Sequence, residues 1–106
     1  DFESAIQSFT IAIDLEPYKA DFYHNWGFAF WKLKKYEKAI DDYSMAIQLD
    51  NSHFKAYYNR AFCYDKVEDI QGAEKDYIQA VRLSPKNISA LHHLATIQEK
   101  LGGDKL

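Results

Sequence analysis

The chain has little of what marks several protein classes: one cysteine, two prolines and four glycines in 106 residues. A lone Cys63 rules out an intrachain disulfide framework and cannot supply a cysteine-rich zinc site. So few glycines and prolines argue against a turn-dense β-sandwich or barrel. No apolar run approaches the roughly 18 residues that a membrane helix needs, so no membrane insertion is expected. Positive charge is not in surplus either, with 13 Lys and Arg against 16 Asp and Glu and a net charge of −3. That balance argues against general phosphate binding, because non-specific nucleic-acid affinity rests on an excess of basic contacts. What is present is globular: 47% hydrophobic and 27% charged residues fit a folded chain of at most one domain. The first residue is Asp1, so the chain reads as an excised or processed piece, and a missing leader says little about compartment. The unpaired cysteine favours a reducing, intracellular and cytoplasmic setting.

Sliding the sequence along itself by 34 residues brings like residues together. Ala5, Ala39 and Ala73 coincide, as do Phe9, Tyr43 and Tyr77, then Ala12, Ala46 and Ala80, then Leu15, Leu49 and Leu83. A second set aligns Tyr23 with Tyr57 and Leu91, Gly27 with Ala61 and Ala95, and Phe30 with Tyr64. So many coincidences at one offset make the chain a tandem repeat. Within each period the spacing is helical, since Tyr23, Trp26, Gly27 and Phe30 fall at i, i+3, i+4 and i+7. Six helices are expected, over 2–15, 20–33, 36–49, 54–67, 70–83 and 88–101. Asp69 and Asn87 sit at helix starts, and Pro17 and Pro85 just past helix ends. Short linkers leave only antiparallel neighbours. Gly27, Ala61, Ala95, Ala39 and Ala73 let backbones approach while the aromatics fill the gaps, so 16% aromatic content implies no cofactor pocket.

This pattern resembles the tetratricopeptide repeat, whose unit reads W-x2-L-G-x2-Y, then A-x3-F, then P. Here it stands as Tyr23-x2-Trp26-Gly27-x2-Phe30 with Ala39-x3-Tyr43, and again as Tyr57-x2-Arg60-Ala61-x2-Tyr64 with Ala73-x3-Tyr77 and Pro85. Departures are Asn51 for proline, Arg60 for leucine and Gln98 for the last aromatic. The resemblance implies a right-handed, all-α solenoid of antiparallel helix pairs. Residues 1–17 would be the second helix of a truncated repeat, 20–51 and 54–85 full repeats, 88–101 a further first helix and 102–106 a tail. Both ends of such an array expose stacking surface, so self-association through the solenoid ends is expected. The chain would begin, and stop at Gly102–Gly103, in the turns between helices.

In proteins of this family the first helices line a concave groove. At ~100° per residue, the face opposite the core carries Asn25, Phe28 and Lys32 in one repeat and Lys55, Asn59, Phe62 and Lys66 in the next. Trp31 and Tyr58 flank it. Aromatics off the core face read as a partner surface, and asparagines can donate to and accept from an extended backbone. The groove candidates are therefore Asn25, Phe28, Trp31, Lys55, Tyr58, Asn59, Phe62 and Lys66. The competing expectation is that some rings pack against the adjacent first helix. Groove charges look mixed, so binding should depend only modestly on salt.

Some family members grip the acidic C-terminal tails of heat-shock chaperones. Asn25 and Lys55 match that clamp, but Asn59 stands where an arginine belongs, so the clamp is disfavoured. Adjacent His92 and His93 diverge by ~100° and make a poor chelate. Cys63 reads as a buried small residue, and Asp41–Asp42 as mostly outward, solvated charge. With no phosphate loop, nucleophile elbow or triad spacing, neither an enzyme nor a cofactor is expected. The function that follows is a protein-interaction scaffold binding an extended or helical peptide. Its rivals are a structural spacer in a longer protein and helical-repeat RNA binding, which the acidic balance disfavours.

Overall fold

The computed structural model describes residues 20–103, which form five helices: α1 (Ala20–Lys32), α2 (Tyr36–Leu49), α3 (Phe54–Lys66), α4 (Ile70–Leu83) and α5 (Ile88–Gly103). The expected helix over 2–15 lies outside the described residues, as does most of the tail. The other five expected helices are all present, with ends agreeing to within two residues. Gly102 and Gly103 differ from expectation, being the last residues of α5 rather than a turn.

Each helix packs on its sequence neighbours, and the first helices α1 and α3 also touch each other. This makes two helical hairpins, α1–α2 and α3–α4, stacked side by side with α5 on the end. The starts of α3, α4 and α5 are set by side chains that take up otherwise unpaired N–H groups, whereas Lys35 before α2 makes no such bond. Asp69 accepts from the Gly72 amide at 3.0 Å and Asn87 from the Ala90 amide at 3.0 Å. His53 does the same for α3, its Nδ1 accepting from Ala56 at 3.2 Å. This cap has no place among the usual capping residue types.

Both hairpin turns use a left-handed residue, Lys34 at φ 63° and Glu68 at φ 67°. Each lets the following amide reach back over the helix end, Lys35 to the Phe30 carbonyl and Asp69 to the Tyr64 carbonyl, both at 2.9 Å.

The core alternates small and large residues as the repeat requires. Ala39, Tyr43, Ala46, Ala61, Ala73, Tyr77 and Ala80 are all essentially inaccessible. Gly27 is the tightest point: a Cβ there would lie 2.9 Å from Tyr43 Cε1, so the ring of α2 rests directly on the backbone of α1. Cys63 is fully buried as expected, and burial pushes its thiol up to about 12.

Two polar features depart from the outward placement expected of charge. Arg60, at the leucine position of the motif, holds the buried Asp76 through Nε–Oδ2 at 2.6 Å and Nη2–Oδ1 at 2.8 Å, and donates to Ser44 Oγ at 3.0 Å. Three helices are thereby tied at one guanidinium. Asp42, one repeat earlier at the position of Asp76, is half-buried rather than outward. Burial, helped by the neighbouring Asp41 charge, raises its carboxyl to about 7.

Candidate peptide-binding groove

The predicted site residues all lie on α1 and α3, the two first helices that meet side by side. Five of the eight surround one open pocket of about 480 Å³: Asn25, Phe28, Lys55, Tyr58 and Asn59, joined by His24 and Phe54. The remaining three, Trp31, Phe62 and Lys66, line a second pocket of about 260 Å³ with Lys32, Lys34 and Tyr36. An aromatic ladder joins the two. Phe28 and Trp31 rings lie 5.4 Å apart on α1, and Trp31 meets Phe62 of α3 edge-on at 5.5 Å.

The competing expectation, that rings pack between adjacent first helices, holds for part of the set. Phe28 is 38% exposed, whereas Trp31, Tyr58 and Phe62 are half-buried. Tyr58 packs edge-on against Tyr77 and His93 and stacks with Phe54. Its hydroxyl lies 3.2 Å from His93 Nδ1, which is also 2.7 Å from the Ser89 carbonyl. Since only a protonated Nδ1 can donate to that carbonyl, the Tyr58 oxygen becomes a second, longer acceptor. Tyr58 is thus a floor to the groove, with one edge open. Lysines sit on ring faces, Lys32 Nζ 4.6 Å from the Trp31 centroid and Lys66 Nζ 5.2 Å from that of Phe62.

The two asparagines are not equivalent. Asn25 is exposed, whereas Asn59 is half-buried and its Nδ2 lies 3.1 Å from His24 Nε2. Burial, then the facing His53, lowers His24 to about 4. The ring is therefore neutral at pH 7, and Nε2 accepts from the Asn59 amide. His24 stacks on His53 at 5.0 Å. Because His53 Nδ1 is taken by the helix cap, its Nε2–H donates to Asp21 at 2.9 Å. Among the described residues the Asn59 oxygen makes no hydrogen bond, and Asn25 reaches its neighbour His24.

His24 and Phe54 were missed as site residues because helical spacing alone puts them beside the groove face. Only packing of α1 against α3 brings them to its wall. Charges beside this face are also more ordered than their mixed signs suggest, since Lys100 of α5 pairs with Asp65 of α3 at 3.0 Å. Among the described residues no cluster of three or more His, Cys, Asp or Glu could hold a metal ion, and no helix is long and apolar enough to cross a membrane.

A side-by-side array of helical hairpins, with small residues at the crossings and a lined face on the first helices, defines a helical-repeat interaction module. The family model of the tetratricopeptide repeat matches residues 20–53 and 54–87, and the chain belongs to that family. No curated protein sequence matches it. Among solved structures, it is similar to the first TPR of Spaghetti (RPAP3) bound to the HSP90 peptide SRMEEVD. That match has 31% identity, covers 95% of this chain and 80% of the other, and gives a TM-score of 0.92. The first TPR domain of human RPAP3 matches at 30% identity over 98% of this chain and 82% of its own, with a TM-score of 0.91. The second TPR domain of human RPAP3, in complex with the HSP70 peptide SGPTIEEVD, matches at 31% identity over 92% and 81%, with a TM-score of 0.87. These relatives lend no support to the expectation against a chaperone-tail clamp, since two of them are bound to HSP90 or HSP70 peptides.

Proposed function

We propose that the chain binds a peptide segment of a partner protein along the face formed by α1 and α3. The observation that carries this reading is the ladder Phe28–Trp31–Phe62, which runs from the Asn25–Asn59 pocket to the Trp31–Phe62 pocket and leaves apolar surface open. Apolar anchors would seat on the ladder. Asn25 and the oxygen of Asn59 would pair with the peptide backbone, and Lys55 would fix the direction of the chain by its charge. Peptides bound by the related domains support the reading. Replacing Asn59 and Phe62 together by alanine should weaken binding of a selected peptide by at least about tenfold, or 1.4 kcal/mol, with the helical circular dichroism unchanged. Unchanged affinity would remove the assignment.

The bound tails of those relatives favour a second, narrower reading, in which the peptide ends in an acidic C-terminus. Asn25 and Lys55 would hold the terminal carboxylate, and Asn59 would offer an amide in place of an arginine. Titration with SRMEEVD and with its C-terminal amide separates the two readings. A clear preference for the free acid supports the tail reading, and equal weak binding of both confines the groove to internal segments.

A further inference from the structure

Resting on the peptide-groove reading, we propose that the turn joining α1 to α2 is an anion-binding extension of the groove. It would receive a short acidic run in the partner peptide, next to the apolar residues seated on Trp31 and Phe62.

The turn concentrates charge in a way that the chain as a whole does not. Lys32, Lys34, Lys35 and Lys38 fall within seven residues of a protein whose net charge is −3, and all four are exposed. Lys66, at the end of α3, joins them across the pocket that it shares with Lys32, Lys34 and Trp31. A neighbouring hollow of about 340 Å³ is lined by Lys34, Lys35, Tyr36, Glu37, Lys38 and Val67, so the two hollows share Lys34 and Tyr36. The three ion pairs among the described residues are His53–Asp21, Arg60–Asp76 and Lys100–Asp65, and none of them uses these lysines.

The concentration belongs to one turn and not to the repeat. At the matching places 34 residues on, Lys32 recurs as Lys66, but Lys34 and Lys35 become Glu68 and Asp69, and Lys38 becomes Gly72. A general need for surface charge would not reverse its sign between otherwise similar turns. Glu37 offsets part of this charge; the remaining like charges repel, and an anion relieves that cost on binding. The reversed turn also limits the ligand. A long polyanion following the solenoid would run from the lysines toward Glu68 and Asp69, whereas a run of a few carboxylates ends before them. The aromatic ladder leading to the lysines selects a peptide that is apolar first and acidic next. The Asn25–Lys55–Asn59 pocket, by contrast, carries a single lysine.

Two fluorescein-labelled synthetic peptides test this: Leu-Trp-Leu followed by four glutamates, and the same peptide with four glutamines. Fluorescence anisotropy should show the glutamate peptide binding about tenfold tighter at low salt, with the advantage shrinking several-fold at high salt. Lys35→Gln/Lys38→Gln should remove most of that advantage and leave the glutamine peptide's affinity unchanged. Equal affinity for the two peptides, or no effect of the lysine substitutions, would overturn the anion site while leaving the groove reading intact. Binding of both peptides that survives Phe62→Ala would instead contradict the groove, and absence of binding by either would overturn both. Tighter binding of a uridine oligomer or of phosphatidylserine vesicles than of the glutamate peptide would overturn the choice of an acidic peptide as occupant.

Discussion

Arg60 of α3 grips Asp76 of α4 at two points, 2.6 and 2.8 Å, in a site where the aspartate is only 5% exposed. The third arm of the guanidinium reaches Ser44 of α2, so one side chain joins both repeats. Removing the arginine alone would leave a buried carboxylate without its counter-charge. Arg60→Leu, which restores the leucine of the repeat motif, should therefore destabilise the protein by ~3–5 kcal/mol. Arg60→Leu/Asp76→Ala should recover most of the loss. Urea denaturation of the two variants checks both, and a fully tolerated single substitution would show that the pair is not a linchpin of the interface.

The contact of Gly27 with Tyr43 gives a pair of opposite outcomes. Gly27→Ala gains helix propensity of about 1 kcal/mol but forces a Cβ to 2.9 Å from the ring. Overpacking of this kind costs ~1–3 kcal/mol, so the net effect should be destabilising. Tyr43→Phe should be neutral or stabilising by up to ~1 kcal/mol, because the buried Tyr43 hydroxyl has no hydrogen-bond partner among the described residues. Thermal melts of the two variants should move in opposite directions or leave the second unmoved.

Two buried groups set opposing pH dependences. His24 is lowered from 6.5 to about 4, so between those values the unfolded chain binds a proton that the fold refuses, and stability falls as pH drops. Asp42 is raised from 3.8 to about 7, so in that window the fold holds a proton that the unfolded chain releases, and stability rises as pH drops. The wild type should show little net slope between pH 4.5 and 6.5 from these two groups. Asp42→Asn should be more stable than wild type above pH 7 and should lose stability on acidification from pH 6.5. The slope per proton is at most ~1.4 kcal/mol per pH unit, and partial exposure makes it smaller. Denaturant midpoints across pH 4–8 decide it.

Helix positions were legible in the sequence because the 34-residue offset repeats both the small residues and the rings. The outward face of α1 was legible for the same reason: a ~100° rotation per residue separates the exposed Asn25 and Phe28 from the buried Gly27 and Phe30. What periodicity cannot supply is contact between helices 34 residues apart. Asn25 and Asn59 occupy one slot in adjacent repeats, yet only Asn59 turns to a histidine of its neighbour. Arg60 stood out as a departure from the motif, and its reason lies 16 residues away on another helix. Likewise Lys34, Lys35 and Lys38 are unremarked in a chain of mixed charge until Lys66 is brought beside Lys32 and Lys34 by the stacking of α1 on α3.

The central claim is that a partner peptide occupies the α1–α3 face. The direct measurement is an amide and indole chemical-shift map of the isotope-labelled protein, titrated with the tightest peptide from a displayed library. Shifts should concentrate at Asn25, Phe28, Trp31, Lys55, Asn59 and Phe62, and the Trp31 indole should move more than that of Trp26, whose indole nitrogen is buried. Shifts confined to α2 and α4, or an unmoved Trp31 indole at saturation, would contradict the account.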